Sequence, residues 1–143
     1  WEDNDKTGEV IDVAKWMHTG DIAEMDDEGF VKIKGRIKDV VIRGGENIYP
    51  VEIENYLYRH PKIRDVQIVG VPDKKFGEVL AAWIIPKKDS NLTEQDIRDF
   101  CKDHIAHYKV PTYMKFVDEF PMTVTGKIQK FKIVEAMKQE LGL

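Results

Sequence analysis

Apolar and polar positions alternate through Phe30-Val31-Lys32-Ile33-Lys34, and with the run that begins near His18 they predict a β-hairpin turning at Asp26-Asp27-Glu28-Gly29, with one face wet. A second hairpin is predicted from Asp39-Val40-Val41-Ile42-Arg43 and Ile48-Tyr49, closed by a Gly44-Gly45-Glu46-Asn47 loop. Pro50 suits the first position of a helix, where its missing N–H costs nothing; Ile53, Tyr56 and Leu57 share one face, and His60-Pro61 ends the helix. Arg64 to Val71 and Val79 to Ile85 are apolar and β-branched and flank a Pro72 to Gly77 loop, which predicts paired strands, the second closed by Pro86. Thr93 and Asp96 form a capping-box pattern before Ile97, Phe100, Cys101 and Ile105, a helix expected to reach Pro111. Met114 to Val117 predicts another strand, and Phe131, Val134, Met137 and Leu141 predict a final helix with Gly142 as its C-cap. The first nine residues are mostly polar and show no period. The expected fold is α+β: a small mixed or antiparallel sheet flanked by three helices, preceded by a β-hairpin stub.

At 143 residues the chain can bury one ordinary core, so a compact domain with an appendage is expected. Hydrophobic residues at 42% and charged residues at 34% describe a globular protein. The 22 Lys and Arg against 26 Asp and Glu leave a net charge of -4, which argues against a nucleic-acid polymer as partner and leaves local phosphate pockets open. Cys101 is the single cysteine, so no internal disulfide can form. No apolar run approaches the roughly 20 residues of a membrane span, and Trp1-Glu2-Asp3-Asn4-Asp5 lacks the order of a signal peptide. The expected location is cytoplasmic. The chain starts at Trp1 without an initiator methionine, and we expect it to be a piece of a longer protein.

Pro121-Met122-Thr123-Val124-Thr125-Gly126-Lys127-Ile128 invites comparison with a P-loop but departs from it, because Pro121 takes the first glycine position and Ile128 replaces the hydroxyl that binds magnesium. Lys127 could instead be a long arm on a glycine turn that delivers one cation to a pair of anions. Asp21, beside Gly20, could accept hydrogen bonds from ribose hydroxyls, Arg36 could reach a ribose or phosphate, and Lys38 could be a backbone pivot. Taken singly, each is better explained by a solvated turn or surface charge. Cys101, His104 and His107 recur every three residues but point in different directions around a helix, so no metal site is expected.

In combination these motifs point further. Thr19-Gly20-Asp21, then Gly35-Arg36 with Gly35 fourteen residues after the Asp, then Gly44-Gly45-Glu46-Asn47, then Pro121 to Lys127, resemble the adenylate-forming superfamily of acyl-CoA synthetases, peptide-synthetase adenylation domains and luciferases. The longest match is GRIKDVVIRGGENIYPVEIE from Gly35 to Glu54, supported by WMHTGD from Trp16 to Asp21 and PMTVTGKIQK from Pro121 to Lys130; its wording is closest to medium-chain and related fatty acyl-CoA synthetases. The resemblance implies a two-step ligase that makes an acyl-adenylate from a carboxylic or fatty acid and Mg-ATP, then transfers the acyl group to coenzyme A with release of AMP. It implies that Asp21 and Arg36 bind ribose, that Lys127 binds nucleotide and stabilises the adenylation transition state, and that Lys38 is the hinge. Gly44 and Gly45 would lie against the pantetheine channel, and Tyr108 and Lys109 would meet coenzyme A, although Val110 stands where relatives often carry a second basic residue.

By this resemblance residues 1–37 are the edge of a large N-terminal AMP-binding domain and residues 38–143 are a C-terminal lid whose partner is that domain. The phosphate loop, most of the ATP and magnesium site and the acid pocket would lie upstream, so the chain alone is expected to lack ligase activity. Two alternatives remain at this level: an adenylation-domain lid that loads a carrier protein, and a standalone nucleotide- or CoA-binding module.

Overall fold

The computed structural model describes residues 3–143, which form two compact units that divide after Lys38. In the first, α1 (Asn4–Val10) is capped by Asp3, whose carboxylate accepts the Lys6 N–H at 3.0 Å. The aperiodic start is therefore helical. It buries no residue, so no apolar stripe marked it in the sequence. β1 (Asp21–Met25) and β2 (Val31–Arg36) pair antiparallel as expected, and Asp26 shapes their loop by accepting the Glu28 and Phe30 N–H groups at 3.1 and 2.8 Å. The expected dry face is not dry: Val31 and Ile33 are both exposed, because no apolar layer of this unit covers them.

The second unit holds β3 (Val41–Arg43), β4 (Glu46–Ile48), α2 (Pro50–Leu57), β5 (Ile63–Asp73), β6 (Gly77–Pro86), α3 (Glu94–Cys101), β7 (Tyr113–Phe116) and α4 (Lys130–Leu141). Its five-stranded sheet runs β4-β3-β6-β5, with β7 alongside β6. β7 is parallel to β6 and the other pairs are antiparallel, so the sheet is mixed. Even-numbered residues of the central pair, Val66, Ile68, Leu80, Ala82 and Ile84, pack with Ile53 and Leu57 of α2 and Ile97 and Cys101 of α3. The odd-numbered Val69, Val71, Val79 and Ala81 pack with Ile133 and Met137 of α4. Burial on both faces explains why these two strands read as continuous apolar runs. Gly70 marks the tightest approach, since a Cβ there would lie 3.0 Å from Val41 Cγ2.

Several boundaries depart from expectation. The glycine loop is a two-residue turn, and Glu46 and Asn47 belong to β4; Gly44 and Gly45 at φ +59° and +91° supply the positive dihedrals that a tight hairpin turn requires. The capping box forms, with the Thr93 hydroxyl accepting the Asp96 N–H at 3.1 Å and the Asp96 carboxylate accepting the Thr93 N–H at 2.9 Å. However, α3 stops at Cys101 because Lys102 turns extended at ψ 132°, and Ile105 reaches the core from the loop. In α4 Phe131 is 58% exposed while Ile133 and Met137 are buried. Two residues are about 200° on a helix, so Phe131 falls opposite the stripe that Ile133 begins.

β5 is an outer strand, yet its free edge is covered. Glu54 of α2 accepts the Ile68 N–H at 2.9 Å, and Lys130, the first residue of α4, donates to Glu54 Oε1 at 2.8 Å and to the Ile68 carbonyl at 3.2 Å. Two residues before Ile68, the Val66 N–H donates at 2.8 Å to Asp65, which also accepts the Tyr58 hydroxyl. Burial and the adjacent Asp65 carboxylate push the Tyr58 hydroxyl up to about 12.

The Glu54 and Lys130 side chains are 10% and 23% exposed, so removing one partner strands the other away from water. Glu54→Gln is expected to lower stability to urea by about 3 kcal/mol. Glu52→Gln, which breaks the more exposed pair with Lys109, is expected to cost about 1 kcal/mol or less; equal losses would contradict this assignment. His60 is buried edge-on against Phe100, its Nδ1 accepting the Lys62 N–H at 3.2 Å, and burial holds its pKa below the ordinary imidazole value. Because the folded pKa is the lower one, its contribution is complete above about pH 6.5 and is lost as pH falls from there toward the folded value. The urea midpoint should fall on acidification through that window and fall less in His60→Gln; an identical pH slope in the two proteins would contradict it.

Candidate functional site

The Lys127 loop is a small hairpin. Met122 bridges Ile128, Thr123 N–H donates to the Lys127 carbonyl at 2.8 Å, and Gly126 N–H donates to the Thr123 carbonyl at 2.9 Å. Gly126 sits at φ +80°, the left-handed position such a turn reserves for glycine. The Thr123 hydroxyl accepts the Lys127 N–H at 3.0 Å and lies 3.0 Å from the Thr125 hydroxyl, so one side chain staples both arms. Gln129 N–H donates to the Pro121 carbonyl at 2.8 Å and closes the base. The Lys127 side chain is exposed and makes no ion pair among the described residues. Such a turn holds one cation out to solvent, ready for an anion.

In the first unit the register opposes Asp21 to Arg36, and Arg36 Nε lies 3.4 Å from Asp21 Oδ1. Thr19 Oγ1 accepts the Asp21 N–H at 3.2 Å. Two residues chosen from separate motifs thus come together, a carboxylate acceptor beside a guanidinium donor, which suits a vicinal diol or a sugar phosphate. Lys38 is exposed in a single 3-10 turn, Ile37–Asp39, at the point where the units divide.

Gly44 and Gly45 sit at the tip of the β3–β4 turn beside the loop that joins β5 to β6. Gly44 N–H donates to the Phe76 carbonyl at 2.8 Å, and the Phe76 ring is flanked by Arg43 at 4.3 Å and Lys75 at 5.0 Å. Asp73 shapes that loop by accepting the Lys75 and Phe76 N–H groups at 2.8 Å each, which holds its carboxyl below the usual range. Lys109 is engaged, its ammonium 2.6 Å from Glu52 Oε1, and Tyr108 packs on the core beneath α2 and α3 with His107 edge-on at 5.9 Å. Sequence reasoning did not single out Lys130, Glu54, Arg43 or Phe76. The signal for Glu54 was available: an acid on the buried face of α2, beside Ile53 and one turn before Leu57.

Among the described residues no group of three or more His, Cys, Asp or Glu side chains is placed to hold a metal ion, and no helix is long and apolar enough to cross a membrane.

The model of the AMP-binding enzyme C-terminal domain matches residues 52–127, a little over half of the chain. The chain is 52% identical over 143 residues to the medium-chain acyl-CoA ligase ACSF2, mitochondrial, of Danio rerio, covering 100% of this chain and 24% of that protein. It is 51% identical over 135 residues to the putative acyl-CoA synthetase YngI of Bacillus subtilis (strain 168), covering 94% of this chain and 25% of that one. Among solved structures it is similar to ATP-bound MatB from Rhodopseudomonas palustris, with a TM-score of 0.90 and 33% identity over 96% of this chain and 27% of the other. The chain spans about a quarter of the length of the curated relatives it matches. The match from Glu52 in α2 to Lys127 at the hairpin, over more than half of its length, makes this chain a member of the AMP-binding enzyme C-terminal domain family.

Proposed function

We propose that this chain is the C-terminal part of an AMP-forming acid:CoA ligase acting on a fatty or other carboxylic acid. The observation that carries this reading is the Lys127 hairpin: a rigid turn holding one exposed, unpaired ammonium, in a chain of the AMP-binding enzyme C-terminal family. In the first step a carboxylate oxygen attacks the α-phosphorus of ATP, and the bond to the bridging oxygen of pyrophosphate breaks. Two anions approach as charge builds on the α-phosphate. A cation fixed beforehand lowers that barrier without reorganising during the step. Lys127 supplies this charge, and Asp21 with Arg36 holds the ribose.

In the second step the coenzyme A thiol, having lost its proton to solvent, attacks the acyl carbonyl and AMP leaves. The acyl C–O bond breaks with its electron pair passing to the AMP phosphate, and in this reading rotation about Lys38 has by then carried Lys127 off that phosphate. Lys38 serves as the pivot between steps, and the Gly44-Gly45 turn, bare of side chains, lets pantetheine pass close to the backbone. Tyr108 and Lys109 stand nearer the coenzyme A nucleotide, with Lys109 exchanging its Glu52 partner for phosphate. Magnesium would accompany ATP as its counter-ion.

In the full-length enzyme Lys127→Ala is expected to lower acid-dependent pyrophosphate release by roughly 10²- to 10³-fold. Thioester formation from supplied acyl-adenylate should stay within about twofold of the unsubstituted enzyme, since the proposed rotation removes Lys127 from the phosphate before that step and its interaction belongs to the first transition state alone. Parallel measurement of the two half-reactions decides the matter, and equal loss in both would overturn the reading.

A further inference from the structure

Two lysines three residues apart meet opposite fates. Lys127 is exposed and unpaired, whereas Lys130 is 23% exposed and bonded to Glu54 Oε1 at 2.8 Å and to the Ile68 carbonyl at 3.2 Å. Between them Ile128 bridges Met122, and Gln129 N–H donates to the Pro121 carbonyl. The hairpin that bears Lys127 is therefore closed at its base immediately before the chain is fastened to the sheet. That fastening is rigid, because its far end is a backbone peptide of β5, a strand paired with β6 from Ile63 to Asp73. Glu54 in turn is held by the Ile68 N–H at 2.9 Å, so neither partner can rotate away without giving up a bond to the same residue.

The sequence after Lys130 cannot do this work alone. Phe131, the next residue, is exposed and does not pack into the core; the first α4 residue that does is Ile133. No side chain caps the helix at Gln129. Among the described hydrophobic residues from Pro121 to Phe131, Ile128 is the one that packs against this core, and it is only partly buried.

We propose that Lys130, held by Glu54 and the Ile68 carbonyl, is a positioning residue for adenylation: it fixes the hairpin so that the Lys127 ammonium meets the α-phosphate. The inference rests on the function proposed above for Lys127. Glu54 has a second effect. By neutralising Lys130 it leaves Lys127 as the one unpaired cation of this hairpin and its base, so the charge is delivered at a single point.

The test uses the full-length enzyme with four variants, Lys130→Met, Lys130→Arg, Lys127→Ala and the double variant, each assayed for both half-reactions. A misplacement of about 1 Å costs roughly 10²-fold in rate, so Lys130→Met is expected to lower adenylation by roughly 10- to 100-fold. Thioester formation from supplied acyl-adenylate should be unchanged, and Lys130→Arg should recover most of the loss. In the Lys127→Ala background, Lys130→Met should cost nothing further, since there is no ammonium left to position. Loss of both half-reactions in Lys130→Met, or its full loss repeated in the Lys127→Ala background, would overturn the positioning role while leaving that of Lys127 standing. If Lys127→Ala itself strikes both steps equally, the reading beneath it fails instead. Should Lys130→Met not fold, Glu54→Gln passes through the same arms with the same expected pattern, and an unselective loss there counts equally against the proposal.

Discussion

A single residue of an outer strand organises the Asp39–Leu143 unit: Ile68 gives its N–H to Glu54 and its carbonyl to Lys130, and the two side chains meet each other. The consecutive elements α2 and β5 converge there with the start of α4, which lies far along the chain. The α2 helix packs on one face of the sheet and α4 on the other, so the pair wraps the edge and locks the layers in register. A strand edge left bare would invite pairing with another chain. Here it is occupied by charge, and Asp65, which also accepts the Tyr58 hydroxyl, takes the Val66 N–H two residues back along the strand.

The same constraint sets how charge is distributed around the Lys127 hairpin. A loop lysine is ordinarily mobile and readily captured by the nearest carboxylate. The hairpin prevents both. Thr123 and Gly126 fix its backbone, and Glu54, the acid bonded at its base, is already committed to Lys130. In the Trp1–Lys38 unit the logic is inverted: Asp21 and Arg36 face one another across two strands, forming a donor and acceptor pair that a sugar can enter. The proposed chemistry needs both arrangements, a lone cation for a phosphate and a paired site for a neutral diol.

Much of this was legible in the residues. Pro50, the Thr93 and Asp96 capping box, the long paired strands and Gly142 each follow from backbone rules that act within a few residues, and each is found. Periodicity misled where burial did not follow it. Phe131 continues an apparent stripe but points away from the core, and Ile105 belongs to a loop after α3 has ended. The α1 helix left no trace in the pattern because it buries nothing. For the candidate site, motif chemistry singled out Lys127, Asp21 and Arg36 as candidates, while the tether was invisible: Glu54, Ile68 and Lys130 are joined by folding, and no local rule connects them.

The claim that this tether governs the Lys127 hairpin is tested most directly by amide hydrogen exchange on unsubstituted protein and Lys130→Met. The account predicts faster exchange at Ile68, Lys127 and Gln129 together, with the central β6 amides unaffected. Faster exchange at Ile68 alone, with Lys127 and Gln129 protected as before, would show that the hairpin holds itself and would contradict the account.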